Sequence, residues 1–411
     1  MLYSPEVLRS VTDVAVTVAQ RAVSEWRFEW VTNWEEVWSE RFTRRWQGWM
    51  AESTTAHVFF EPATARAWID TFSAVRDVQP RFLVATRDPG TLVFLPLVRI
   101  SSGWKDAWRR AIVPVGLPGF DYHDPILVGP ADQCIWDGFW RGLEAELRGP
   151  WADDFDVALV NGLRSWSLPP DPERWLSGGL PGAARAGYQE PAPYIDLTRF
   201  GTIDDYAASV SSNLRQELRA KFRSLRKLGE VSLHYYSPDE VQPALAALET
   251  MLEFNRRRFP HTWRAKNYYA NLIRRCLPTG TLLLSEMLVQ RQPVGWELDF
   301  IYRRRLYKYI AAFDPAFARW SPGNLHSYLS LERAIGDGLE VYDFMRGNES
   351  YKARWATGSV PLFEAEWIGN GPLASVRAAW VRRVRKPLAH LKRTARHKAG
   401  DWRLFSKRGK V

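Results

Sequence analysis

The sequence predicts an α/β protein of two tandem halves, each a mixed, largely antiparallel sheet flanked by helices. The chain has 411 residues, more than one ordinary core holds and enough for two domains of roughly 150–200 residues. Each half contains an alternating apolar run that reads as an antiparallel meander. In each half the meander is followed by a loop with Asp-Pro, a helix and another strand, an order that suggests duplication.

The elements follow in turn. Residues 1–25 read as an extension and 26–168 as the first half. Trp34–Trp49 and Pro62–Arg76 read as helices with aromatic anchors. Arg81–Thr86 and Thr91–Ile100 form a hairpin around Arg87-Asp88-Pro89-Gly90. Ala111–Gly116 is a third strand, and the loop GLPGFDYHDPILVGP leads to a helix, Gln133–Arg148, and a strand, Phe155–Asn161. Residues 169–190, rich in Pro, Gly and Ala, read as a linker. The second half, 191–372, opens with the strand Tyr194–Leu197 and a long basic helix, Ile203–Leu228, stopped by Gly229. Next come Val231–Tyr236, the helices Pro238–Phe259 and Asn267–Leu277, and the meander Thr281–Val289, Val294–Tyr302 and Leu306–Phe313. A helix from Ser321, the strand Glu340–Phe344, the short helix Glu349–Trp355 and the strand Pro361–Ile368 complete it. Residues 373–411 are a basic tail.

Apolar residues make up 46% and charged residues 25%, a globular composition. The net charge is +10, and 377–411 holds 13 Lys/Arg against the single acid Asp401. Such a tail suits RNA, DNA or anionic lipid, or remains solvated. Two distant cysteines, Cys134 and Cys276, make neither a metal spacing nor a disulfide framework, so a reducing cytoplasm is expected. No segment has the length and apolarity of a membrane span or the pattern of a signal peptide. Contact with the inner face of a membrane remains open to the basic tail and the basic residues of 213–228.

The sharpest chemical feature runs from Tyr307 to Gly338. A strand ends at Asp314-Pro315, and Ser321-Pro322-Gly323-Asn324 opens a helix. Ser321 suits the N-cap, Pro322 the first helical position, and Gly323 close approach of a phosphate. No acid occupies this helix start, so its free N–H groups and partial positive charge are open to an anion. Arg319 adds a cation. In the first half, Asp132 beside the helix start repels a phosphate, so that half reads as structural or acceptor-binding.

SSNLRQELRAKFRSLRKLG, PVGWELDFIY, FDPAFARWSPGNL and YDFMRGNESYKARW, together with FFEP, FLPL and GFDYHDPIL in the first half, resemble the GNAT superfamily over residues 30 to 370. The branch they resemble is the CelD/BcsL-like one, associated with cellulose and exopolysaccharide biosynthesis. More distantly the layout is similar to the FemAB transferases. The resemblance implies two GNAT-like domains, the first degenerate, and an acyl-CoA-dependent N- or O-acyltransferase. Acetyl-CoA or another acyl-CoA would be the co-substrate, with a saccharide or its precursor as acceptor and no metal. The common GNAT pyrophosphate signature is replaced here by Arg319-Trp320-Ser321-Pro322-Gly323.

Acyl transfer needs a base, a polarised carbonyl and an acid for the leaving thiolate. Glu297 and Asp299, on one face of their strand, and Asp314 are rival bases. The resemblance makes Tyr351 the candidate acid, with packing as its alternative. Arg319, Ser321, Gly323, Asn324 and Lys352 are the candidate cofactor-binding residues. Asp343, Arg346 and Glu349, with Lys352, read equally as an ion-pair network shaping the site. Asp121, Tyr122 and Asp124 read as acceptor contacts or as a structural turn. Two other function classes stay open: an aminoacyl-tRNA-dependent FemAB-like transferase, and a non-catalytic module of a polysaccharide synthesis complex.

Overall fold

The computed structural model describes residues 26–87, 90–103, 108–130, 133–168, 183–188, 190–258, 265, 267–380 and 383. The expected extension 1–25, turn residues Asp88 and Pro89, Asp132, most of the linker and nearly all of the basic tail lie outside them.

Fifteen strands among the described residues form two sheets. In the first half, β1 (Trp26–Val31) precedes helices α1 (Trp34–Val37), α2 (Glu40–Glu52) and α3 (Pro62–Ser73). Then come β2 (Asp77–Arg87), β3 (Thr91–Ser101), β4 (Arg110–Pro114), β5 (Ile126–Val128), α4 (Gln133–Arg148), β6 (Val157–Arg164) and β7 (Ala183–Tyr188). The second half runs β8 (Ala192–Asp196), α5 (Ile203–Ser209), α6 (Ser212–Arg226), β9 (Val231–Tyr235), α7 (Val241–Arg258) and α8 (Tyr268–Cys276). It continues with β10 (Leu282–Val289), β11 (Gln292–Tyr302), β12 (Arg305–Phe313), α9 (Pro322–Gly336), β13 (Val341–Asp343), α10 (Ser350–Trp355), β14 (Gly358–Val360), β15 (Leu362–Ile368) and α11 (Ala374–Trp380).

The two halves repeat one plan. An antiparallel meander, β2-β3-β4 or β10-β11-β12, leads through a helix, α4 or α9, to a strand parallel to the last one, β6 or β13. The same element order and the same pairing sense make the repeat a feature of the fold.

Five expectations are corrected. The last strand, placed by the sequence in the second half, is β15 and pairs with β6 and β7 of the first sheet. Part of the expected linker is β7, and the loose start contains β1, paired with β2. The long basic helix is two, because Ser211 accepts the Leu214 N–H and starts α6 afresh. The helix from Trp34 is likewise divided by Ser39, which caps α2.

One buried cluster joins the halves, and a second lies within the second half around Leu214, Leu325 and Trp355. Trp296, Leu298 and Phe300 on one face of β11 belong to a cluster continuous with the first half. Phe59 is fully buried and its ring meets Phe120 at 4.9 Å, Phe300 at 5.4 Å and Tyr307 at 5.6 Å. The Arg303 guanidinium, in the turn between β11 and β12, donates to the carbonyls of Met50, Ala51 and Ser53 at the end of α2. A cation there satisfies carbonyls that the helix leaves unpaired.

Phe59→Ala removes an aromatic plug shared by both halves and is expected to cost about 3–5 kcal/mol. Because the halves are packed together, urea unfolding followed by fluorescence and by circular dichroism should give one coincident transition, shifted as a whole. Two separated transitions would show that the halves unfold independently.

Candidate active site

Strand β12 pairs in parallel with β13 at Arg305↔Val341, Leu306↔Tyr342 and Tyr307↔Asp343. Beyond that the strands part: β12 continues to Phe313, whereas β13 stops at Asp343. The departing chain turns toward β8, with Phe344 N–H on Pro193 O (2.9 Å) and Gly347 N–H on Pro191 O (2.9 Å). Asp343 holds the exit. Its carboxylate accepts the Met345 N–H (2.8 Å), the Tyr122 hydroxyl (2.7 Å) and Arg305 (3.1 Å). Met345 has φ +60° and Gly347 φ +140°. A Cβ on Gly347 would come within 2.7 Å of Lys352 Nζ, which explains the glycine in the Arg346-Gly347 pair.

Across the gap, β12 carries a bulge. Leu298 faces Ile310 and Asp299 faces Lys308, leaving Tyr309 without a ladder partner. The Tyr309 N–H turns onto Asp299 Oδ1 (3.3 Å). Its hydroxyl donates to Gly119 O (2.8 Å) and meets the Tyr268 hydroxyl at 3.1 Å, so first-half loop, bulge and α8 meet here.

The helix beyond β12 opens at the mouth of this gap. Asp314 caps the short turn Pro315–Trp320 through the Ala316 N–H (2.9 Å), a positioning bond for a residue read as a rival base. Ser321 occupies the N-cap position as expected, but in a left-handed conformation (φ 54°, ψ 54°) and with no side-chain cap. The Asn324 N–H is taken by the Ser321 carbonyl (3.0 Å); the expectation of several open amides narrows to that of Gly323, which meets no acceptor among the described residues. Gly323 has room around it, with Phe313 Cδ1 3.9 Å from where a Cβ would lie. Arg319 is exposed and stacked on Trp320 at 3.8 Å, and Lys221 of α6 donates to its carbonyl.

The carboxylates of β11 are not solvent-facing. Glu297 and Asp299 are buried toward α9. Glu297 pairs with Lys308 and accepts Ser327 Oγ (3.0 Å) and Ser330 Oγ (3.4 Å). Burial works to raise the Glu297 carboxyl, but the Lys308 ammonium and these hydrogen bonds hold it below its ordinary value. Asp299 has no cation of its own; burial, and then the charge of Glu297, push its carboxyl well up. His326 beside them is driven down to about 4 by burial and is neutral, its Nε2 2.8 Å from Ser285 Oγ. A bulk-water route to either acid is closed, so their expected role as bases has no direct geometric support. Lys308, missed in the sequence, is the group that balances them.

The loop from the first half supplies the other wall. Asp121 is half-buried, 3.5 Å from Arg346, and burial raises its carboxyl against the pull of Arg346 and Lys352. Tyr122 is buried on Asp343. Asp124, expected as an acceptor contact, is inaccessible: its carboxylate binds the Arg164 N–H (2.7 Å), Arg164 Nε (2.6 Å) and Ser167 Oγ (2.6 Å). Lys352 is also buried, donating to Arg346 O (2.8 Å) and pairing with exposed Glu349 (3.0 Å). Of the two roles open to it, the ion-pair network is the one its contacts support. Tyr351, on α10, is 38% exposed.

Two hollows flank this centre. One of about 940 Å³ lies beyond α10, lined by Pro191, Pro193, Glu349 and Ala353. The other, of about 700 Å³, lies between α7 and α8 and is lined by Tyr268, the residue that reaches the bulge. Neither is lined by Gly323. Among the described residues no group of His, Cys, Asp and Glu could hold a metal ion.

Residues 212–353 match the family profile described as an acetyltransferase (GNAT) domain, so the chain carries an acyltransferase domain over α6 to α10. A crystal structure of FemX superposes on 81% of this chain and 98% of its own, at 10% identity and a TM-score of 0.56; the likeness is one of fold. Looser similarity extends to the C-terminal domain of a protein described as a lysylphosphatidylglycerol synthetase, from Agrobacterium fabrum (12% identity, 82% and 95% coverage, TM-score 0.49). It also extends to a tandem GNAT protein from the clavulanic acid biosynthesis pathway (13% identity, 83% and 98% coverage, TM-score 0.44). No curated protein matches the chain.

Glu297→Gln leaves Lys308 buried without its countercharge and is expected to destabilise by about 3–5 kcal/mol at pH 7. Glu297 has a depressed carboxyl, so its contribution is present above the ordinary value of 4.5 and is lost as pH falls through the lower folded value. Thermal melts of both proteins should therefore converge on acidification. A difference that stays constant as the pH is lowered from 7 to well below 4.5 would refute the pairing.

Proposed function

We propose that the second half binds an acyl-CoA, acetyl-CoA by the simplest reading, and transfers the acyl group to an amine or hydroxyl reached from the cleft between the halves. The observation that carries this is the parting of β12 and β13 beside a helix start with an open Gly323 N–H. Separated parallel strands offer unpaired backbone to the amides of a pantetheine arm. The α9 dipole and Arg319 favour its diphosphate. Gly323 and Arg319 are the binding residues; Ser321 and Asn324 shape the turn rather than donate, and Lys352 braces the loop after β13.

In this reading the acceptor's nucleophile forms a bond to the thioester carbonyl carbon, and the carbon–sulfur bond breaks. Asp121 takes the proton the acceptor loses, directly or through a water; burial raises its carboxyl and so makes it a stronger base than an ordinary aspartate. Tyr351 delivers a proton to the leaving thiolate. Asp343, Arg346 and Glu349 hold the wall, and Glu297 and Asp299 support Lys308 and the bulge. Asp314 keeps its place as the cap that aims α9. A saccharide or saccharide precursor is the acceptor favoured by the resemblance to the exopolysaccharide branch.

A second reading takes aminoacyl-tRNA as donor. Arg219, Arg223, Arg226 and Lys227 are exposed on and just past α6, which is tied to the donor end through Lys221 and through Trp320 Nε1 on Ser224 Oγ (3.1 Å). That surface suits a polyanion larger than a diphosphate.

Gly323→Asp fits sterically but sets a carboxylate against the donor's phosphates. Calorimetric titration with acetyl-CoA should show binding by the parent protein and at least a tenfold loss in the variant, with an unchanged melting temperature. Absence of binding by the parent to acetyl-CoA and to longer acyl-CoAs, with retention of charged tRNA that salt releases, would favour the second reading instead.

A further inference from the structure

Helix α11 lies over β15 with Ala374 and Ala378 buried, and Arg377 pairs with Asp156 at 3.0 Å. Its other side faces outward. Leu373, just before the helix, is 53% exposed, Val376 63% and Trp380 47%. Spacings of three and four residues put them on one side of the helix. Scattered exposed apolar residues are ordinary, but three of the eight large ones exposed among the described residues sit together here.

The sequence that follows is strongly cationic. Residues 381–411 contain 12 Lys/Arg and one acid, Asp401. Large apolar residues are interleaved with them, among them Leu388, Leu391, Trp402 and Phe405. Three surfaces answer to such a combination, and two answer poorly. A nucleic acid meets the charge but leaves the apolar side of α11 in water. A second copy of this chain covers that side but brings two cationic segments together. An anionic bilayer surface satisfies both, taking apolar side chains into its interface and Lys/Arg among its headgroups.

We propose that the exposed apolar side of α11, beside a chain end of cationic sequence, docks the protein on a membrane surface rich in anionic lipid. Among the described residues no helix is long and apolar enough to cross one. Leu373, Val376 and Trp380 are not among the residues assigned to the donor site, so this docking stands or falls apart from the acyl-transfer reading.

The test is flotation of the full chain with vesicles of phosphatidylcholine containing about 30% phosphatidylglycerol, or of phosphatidylcholine alone. The protein should float with the anionic vesicles and bind the neutral ones at least tenfold more weakly. Binding should fall as salt is raised to about 0.5 M. The double variant Val376→Ser, Trp380→Ser should bind anionic vesicles about tenfold more weakly. Its melting temperature and its acetyl-CoA titration should be unchanged, since both residues face solvent away from the donor site. Equal binding by variant and parent would overturn the proposal, because charge alone would then suffice. Failure to float while polyuridylate is retained at the same salt would overturn it in favour of RNA. A concentration-dependent dimer that the variant abolishes, without vesicle binding, would overturn it in favour of self-association.

Discussion

The carboxylate of Asp343 is the point on which the site depends. It closes the three-residue β13 by accepting the Met345 N–H, anchors Tyr122 from the other half, and pairs with Arg305 at the start of β12. One buried acid therefore decides where the parallel pair ends, in which direction the chain leaves, and how the first-half loop is seated against the gap. Removing it would leave a buried hydroxyl and a guanidinium without their acceptor, a cost larger than the loss of one ordinary hydrogen bond.

The repeat of the fold clarifies why only one half offers a donor groove. In the first half, the free stretch of β6 beyond its pairing with β4 is taken by the loop that carries Asp121 to Asp124. His123 N–H bonds Gly162 O (3.2 Å), and a Cβ on Gly162 would fall 2.0 Å from Asp121 O. The loop fills its own half's gap and presents Asp121 and Tyr122 to the gap of the other. In the second half the chain after Asp343 turns to β8, and the first-half loop meets the two sides of the gap through side chains, Tyr309 on Gly119 O and Tyr122 on Asp343. β15 returns to the first sheet and locks the halves in this relation.

Local order was legible in the sequence because it rests on local chemistry. Helix α4 was read residue for residue, and the three meander strands of the second half to within two residues, from alternation alone. The turns between them were placed correctly although Gln290, Arg291, Arg303 and Arg304 all adopt positive φ without a glycine. What escaped depends on contacts across the fold. The destination of β15 is set by pairing with strands some two hundred residues away. The burial of Glu297 and Asp299 depends on Lys308, Ser327 and Ser330. A signal for Lys308 was present, as the charge flanked by Tyr307 and Tyr309 inside β12, opposite Asp299. Asp314 and Asp124 looked reactive because sequence does not reveal that backbone N–H groups and Arg164 already engage them.

The account's central claim is that the gap between β12 and the chain beyond Asp343 receives the donor. A crystal structure of the protein grown with CoA tests it most directly. The account predicts the pantetheine arm between Lys308–Phe313 and Met345–Arg346, with the diphosphate on the Gly323 N–H. A diphosphate bound elsewhere, or an arm lying outside a gap that stays closed, would contradict it.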